Sequence, residues 1–162
     1  MPDLTSLAES VADLLKQRGE KIAVADSSAG GLISASLLSI PGASAYYVGG
    51  IVSYTGISRV TLLGISDEYM SGIGMRASTE EYAALIAQTV REKFGTTWAL
   101  CETGASGPTG NRYGDASGHA CIAVSGPVDR TITLETGSTN REANMWAFTK
   151  AALELLEQCL KG

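Results

Sequence analysis

The chain has 162 residues, 44% of them apolar and 18% charged, with 12 basic against 17 acidic side chains and a net charge of −5. That length fits one domain over residues 1–162, and the composition excludes a disordered chain, which needs low hydrophobicity and high net charge. The acidic balance argues against nucleic acid as a partner, and no apolar run approaches the ~18 residues of a membrane span.

The start, Met1-Pro2-Asp3-Leu4, lacks the basic-then-apolar signature of a secretory signal, so a cytoplasmic protein is expected. Leu4, Leu7, Ala8, Val11, Leu14 and Leu15 recur at helical spacing within a helix from Asp3 to Lys16, stopped by Gly19. Lys21 to Ala25 reads as a short buried strand. The run Asp26-Ser27-Ser28-Ala29-Gly30-Gly31 then breaks the pattern before a helix from Leu32 to Ile40, ended by Pro41-Gly42. A second strand spans Tyr46 to Tyr54, with Gly49 and Gly50 marking a bulge or a close backbone approach. Ser58 to Leu63 is a short helix closed by Gly64, and Ser66 caps another.

Ser78-Thr79-Glu80-Glu81 has the form of a capping box, and the helix it opens carries Tyr82, Leu85, Ile86, Thr89 and Val90 on one face. Thr97 to Cys101 is a third strand, followed by a glycine-rich loop from Thr103 to Gly118. Strands over His119–Ser125 and Arg130–Glu135 precede a last helix from about Asn140, whose apolar face holds Met145, Phe148, Ala152, Leu155, Leu156 and Cys159. Early alternation of helix and strand followed by a late strand pair predicts an α/β fold, a three-layer α/β/α sandwich around a mixed β-sheet. Cys101, Cys121 and Cys159 form no Cys-x-x-Cys pair and His119 is the lone histidine, so no metal site and no cofactor are expected.

Two loops, Asp26–Gly31 and Thr103–Gly118, leave the carboxyl ends of predicted strands, the edge at which open α/β sheets bind ligands. The first also opens a helix, whose N–H groups suit a phosphate or an oxyanion. Ser27 and Ser28 are candidate nucleophiles, or else one of them caps the helix. A serine needs a base beside it, and Tyr54, Lys21, Asp26, Asp115 and His119 are the groups on offer. Arg112 and Arg141 are candidate anion clamps, because a guanidinium matches phosphate geometry.

Three segments carry a resemblance: Asp26-Ser27-Ser28-Ala29-Gly30-Gly31, Ile40-Pro41-Gly42-Ala43-Ser44-Ala45-Tyr46 and Gly49-Gly50-Ile51-Val52-Ser53-Tyr54. With Leu62-Leu63-Gly64-Ile65, the Ser78 helix start and Thr103-Gly104-Ala105-Ser106-Gly107-Pro108, the chain resembles the CinA C-terminal domain family along nearly its whole length. The family includes stand-alone nicotinamide-nucleotide amidohydrolases. The resemblance implies metal-free hydrolysis of the carboxamide of nicotinamide mononucleotide to the nicotinate mononucleotide and ammonia, a small-molecule nucleotide as partner, and a homo-oligomer.

Carried over by position, Ser27 matches the nucleophilic serine, Tyr54 the tyrosine beside the catalytic lysine, and Arg59 stands where that lysine stands. Asp26, Ser28, Gly30, Gly31, Ser44, Thr103, Gly104, Gly107, Arg112 and Arg141 complete the substrate-contacting set. The departures cluster at the same place: Arg59 for lysine, Gly56 for asparagine, Asp26 for glutamate and Ala29 for threonine. Lysine can be desolvated into a base, whereas arginine stays protonated at any working pH. The same residues therefore also admit a second reading, a nucleotide- or phosphate-binding protein that keeps the pocket without the chemistry.

Overall fold

A computed structural model describes residues 3–162. The Met1-Pro2 half of the start read for targeting lies outside the described residues. Helix α1 (Leu4–Arg18) begins where the Asp3 carboxylate accepts the Thr5 N–H at 2.9 Å and ends at Gly19 in the left-handed region. Then follow β1 (Ile22–Asp26), α2 (Leu32–Leu38), a 3-10 turn at Ala43–Ala45, β2 (Tyr47–Val52), α3 (Gly56–Leu63) and α4 (Asp67–Gly72). The second half holds α5 (Glu80–Phe94), β3 (Trp98–Ala105), β4 (His119–Ser125), β5 (Arg130–Glu135) and α6 (Arg141–Lys161).

The sheet runs in the order β2-β1-β3-β4-β5, with β1 parallel to both β2 and β3, and with β3–β4 and β4–β5 antiparallel. The mixed three-layer sandwich predicted from the sequence is the fold observed. Alternation along the central strands sorts large from small side chains. Ile22, Val24, Trp98, Leu100, Ile122 and Val124 pack under α1, α2 and α6. Ala23, Ala25, Ala99, Cys101, Cys121 and Ala123 pack under α5, and these small groups let that helix lie close to the sheet. Among the described residues no helix is long and apolar enough to cross a membrane.

Several boundaries differ from the sequence reading, and most of the larger shifts have a local reason. Thr103 and Gly104 belong to β3, because β4 pairs with the strand as far as Ala105↔His119. The glycine there admits a neighbour: a Cβ on Gly104 would collide with the His119 carbonyl. Thr79, rather than Ser78, caps α5, accepting the Tyr82 N–H at 3.2 Å, while Ser78 sits at φ +62°. Helix α3 starts two residues early, at Gly56, because Thr55 and Ser58 form a reciprocal capping box. Helix α2 stops at Leu38, short of Ile40.

Candidate functional site

The parallel strands β1 and β2 end at the same edge of the sheet as β3, and two buried carboxylates organise the turn that leaves β1. Asp26 shares the face of Ile22 and Val24; its Oδ2 accepts the Gly31 N–H at 3.0 Å and the Ile33 N–H at 3.2 Å. Glu102, on the same face of β3, accepts the Ala29 N–H at 2.8 Å, the Ser27 N–H at 3.1 Å and the Ser28 hydroxyl. Both are essentially sealed from solvent. Burial, with the Glu102 charge beside it, pushes the Asp26 pKa up to about 7 against the pull of its two N–H donors. Burial likewise raises Glu102, opposed by the Ser28 hydroxyl and the turn's N–H groups.

The expected oxyanion site at Gly30-Gly31 is therefore already filled from within, since the Gly31 N–H donates to Asp26. Gly30 instead provides a left-handed turn against α6, where a Cβ would press on Met145. Glu102 was not singled out from sequence. Its signal is a lone acid inside an apolar run that continues β3 from Trp98 to Cys101.

On the opposite face of the sheet the strand ends open into a cavity of about 580 Å³, within the range of small-molecule sites. Ser27, Thr103 and Gly104 line it from β1 and β3, and Ser53, Tyr54 and Thr55 from the segment after β2. Arg59 enters from α3, Ser78 and Tyr82 from the start of α5, and Asn111, Arg112 and Tyr113 from the loop after β3. The Ser53 hydroxyl oxygen is buried there with no partner among the described residues. Three separate stretches, carrying Ser27, Tyr54 and Arg59, thus meet around one space.

The electrostatics of that space are cationic. Arg59 is buried; its Nε donates to the Ile65 carbonyl at 3.0 Å and its Nη2 pairs with Asp67, so α3 and α4 hold it as a fixed cation. Arg112 lies 5.0 Å from the centre of the Tyr113 ring, and Arg76 lies 4.9 Å from the same ring. Tyr54 is exposed, and its phenol oxygen accepts from Arg141 at 3.1 Å. Arg141 also donates to the Gly107 carbonyl, so it and Gly107 touch the cavity only through Tyr54. Among the titratable groups lining the cavity, Asp67 is the one carboxylate, and it is committed to Arg59.

The remaining candidates lie elsewhere. Ser28 turns to Glu102, away from the cavity. Ser44 sits in the 3-10 turn before β2, at the opposite edge of the sheet, a six-residue strand (roughly 20 Å) from the cavity. Lys21 is at that far edge too, donating to the Ala45 carbonyl. Asp115 and His119 stand behind the cavity wall, bonded to Arg76 and Glu135 respectively.

Fold and cavity define an α/β protein with a cationic, hydroxyl-lined cavity at the carboxyl edge of its parallel strands. The family model described as the CinA C-terminal domain matches residues 4–160, and the chain belongs to that family. It is 36% identical over 154 residues to a CinA-like protein of Chlorobium limicola, covering 92% of this chain and 35% of that one. A CinA-like protein of Trichormus variabilis is 35% identical over 158 residues, with 96% and 38% covered. The chain thus spans little more than a third of the length of these curated relatives.

Solved structures match end to end. A competence-damaged protein (CinA) superfamily protein of Klebsiella pneumoniae aligns with a TM-score of 0.90 at 22% identity, over 99% of each chain. The competence/damage inducible protein CihA of Agrobacterium tumefaciens aligns at 0.86 and 26%, covering 100% of this chain and 98% of its own.

Proposed function

We propose that the chain binds a phosphorylated nucleotide of the nicotinamide mononucleotide class in the 580 Å³ cavity and does little or no chemistry on it. One observation carries this reading: the position that supplies the family's base holds Arg59, buried and bound to Ile65 and Asp67. A guanidinium keeps its proton at working pH, so it attracts phosphate but does not activate Ser27. Asp26 and Glu102, the carboxyls nearest in sequence and pairing, are turned to the other face of the sheet and engaged with backbone N–H groups. Arg59 and Arg112 supply charge for the phosphate, Tyr113 and Tyr82 flat surface for a ring, and Ser27, Ser53 and Thr103 hydroxyls for a carboxamide.

The second reading is amide hydrolysis, favoured by Ser27 opening directly onto the cavity. Ser27 would attack the carboxamide carbon, its proton would pass to the departing ammonia, and water would cleave the resulting ester to nicotinate mononucleotide and the free Ser27 hydroxyl. Purified protein given nicotinamide mononucleotide separates the two. A ligand-induced thermal shift without ammonia release supports the binder. Ammonia release abolished by Ser27→Ala supports the amidase, and neither response removes both. Under the binding reading, Arg59→Lys places a titratable amine at the base position and creates or raises hydrolysis. Base catalysis is typically worth roughly 10²–10⁴-fold.

Self-association and a cytoplasmic setting belong to the same proposal. Val48 and Val52 on the open edge strand β2, with Ile57 and Val60 on α3, leave apolar surface exposed, which supports a homo-oligomer. Three free, buried cysteines suit a reducing compartment. Sedimentation of the purified chain decides the first point.

A further inference from the structure

His119 is buried at the head of β4, and each of its ring nitrogens faces an oxygen that can only accept. Nδ1 is 2.5 Å from the Glu135 carboxylate on β5, and Nε2 is 2.9 Å from the Ser78 carbonyl. Asp115 lies 3.7 Å from Nε2, as does the Cys121 sulfur, whose own pKa is pushed up by burial. A neutral imidazole has one N–H, so it satisfies one of these oxygens and turns a lone pair on the other; an imidazolium satisfies both.

The partners matter because of what they hold. Ser78 sits at φ +62°, a conformation that costs a non-glycine residue free energy, and it forms one wall of the cavity. Its N–H is only loosely tied, to the Thr103 hydroxyl at 3.3 Å, so the His119 contact is the firmer of the two. Asp115 anchors the adjoining stretch of wall. It bonds Arg76 at 2.8 Å and Asn111 at 2.8 Å, and so fixes the loop that carries Asn111, Arg112 and Tyr113.

We propose that His119, as a doubly hydrogen-bonded cation, is the positioning residue for both walls of the nucleotide cavity, and that losing its proton loosens them together. The groups facing it are Glu135 from β5, Asp115 and its partner Arg76 from the loops, the neutral Cys121 thiol from β4, and the Ser78 carbonyl. Glu80 on α5, nearby, is occupied by the Thr131 and Thr133 hydroxyls. The balance favours the charged ring: burial opposes the charge, but Glu135, the Ser78 carbonyl and Asp115 outweigh it and lift the pKa above the ordinary 6.5.

The test does not depend on a ligand. In ¹⁵N-labelled protein the His119 ring nitrogens are followed by NMR across their titration, together with amide-exchange protection at Ser78 and Asp115. Both nitrogens carry protons at pH 6, and protection at both amides falls several-fold as the ring deprotonates. A neutral ring at pH 6, or unchanged protection through the titration, overturns the proposal.

A second arm, which rests on the nucleotide reading, measures nicotinamide mononucleotide affinity by calorimetry. Rising pH adds charge to the ligand's phosphate (second pKa about 6), which tightens binding to cations, so a several-fold fall in affinity isolates the loss of the walls. His119→Gln abolishes that fall: it binds more weakly than wild type at pH 6 and keeps only the tightening that the phosphate's second ionisation gives. A ligand that binds at no pH ends the nucleotide reading while the exchange data still decide the clamp.

Discussion

The two faces of the sheet at the ends of β1 and β3 carry opposite chemistry although neighbouring residues supply them. Under α2 and α6, Glu102 takes the Ser27 and Ala29 N–H groups and Asp26 takes those of Gly31 and Ile33. Under α5, one residue along each strand, Ser27 and Thr103 face a cavity lined by two guanidiniums, Arg59 and Arg112, and by one carboxylate, Asp67, which is paired with Arg59. The two-residue period of a strand makes this separation possible. Acids placed in the cavity would repel a phosphate; on the other face they act as internal caps. The acidic residues of the Asp-Ser-Ser-Ala-Gly-Gly segment and of β3 thus shape the turn, and the guanidiniums stand on the cavity side.

Loss of Glu102 has the largest effect on the acidic face. Glu102→Ala strands two buried N–H groups and the Ser28 hydroxyl and leaves a void, an expected loss of about 3–5 kcal/mol in denaturant unfolding. Glu102→Gln keeps one carbonyl oxygen for those donors and loses less. A Glu102→Ala protein within about 1 kcal/mol of wild type would show that the turn holds itself.

Asp26 gives the next largest effect, visible through pH. Folding raises its pKa from the ordinary 3.8 to about 7, so the native state binds the proton more tightly than the unfolded chain. Its contribution is therefore greatest in acid and is lost as pH rises from about 4 towards 7. Between pH 5 and pH 8 this one group weakens the fold by roughly 2–3 kcal/mol, taking 1.36 kcal/mol per pKa unit. Asp26→Asn keeps an oxygen for the Gly31 and Ile33 N–H groups and carries no charge, so it flattens that decline. Parallel denaturation curves of the two proteins at pH 5 and pH 8 check it; equal pH slopes refute the raised pKa.

Much of this architecture was legible in the sequence, and the reasons for the misses are physical. The continuous apolar runs at Ile22–Ala25 and Trp98–Cys101 mark strands covered on both faces, and Gly19 and Gly64 mark helix ends in the left-handed region. The end of β3 was misread because glycine signals both a turn and a close approach, and only the pairing with β4 tells them apart at Gly104. Among site residues, Ser27, Tyr54, Arg59, Thr103 and Arg112 converge on the cavity. Ser28, Gly30 and Gly31 follow Ser27 in the chain but turn away from the cavity, since a tight turn reverses direction within three residues. Ser44 is the plainest divergence: a motif position carried no information about which edge of the sheet it occupies.

Arg59 sharpens the cationic side. Asp67 is largely solvent-exposed, whereas the guanidinium is buried and donates to the Ile65 carbonyl. An ion pair with one wet partner contributes little, so Asp67→Asn costs under about 0.5 kcal/mol. Arg59→Met leaves a buried carbonyl unpaired and costs about 1–2 kcal/mol. Equal losses in the two variants would mean that the ion pair, rather than the carbonyl bond, seats the cation.

Arg112 gives the smallest change in stability and isolates the ligand term. It is exposed, and its contacts with the Tyr113 hydroxyl and ring hold it at the cavity mouth. Removing an exposed side chain that fills no core space leaves the melting temperature of the free protein unchanged. A phosphate docked at the mouth loses one charge-assisted partner, so Arg112→Ala weakens nicotinamide mononucleotide binding several-fold. Arg112→Lys recovers part of that, because an ammonium keeps the charge and loses the planar fork. If Arg112→Ala binds as wild type does while Arg59→Met does not, the phosphate sits deep, against α3, and Arg112 serves only to brace the Tyr113 ring. If both variants lose affinity together, the two guanidiniums share the anion, and the contrast between an acidic scaffold face and a cationic ligand face extends across the whole cavity.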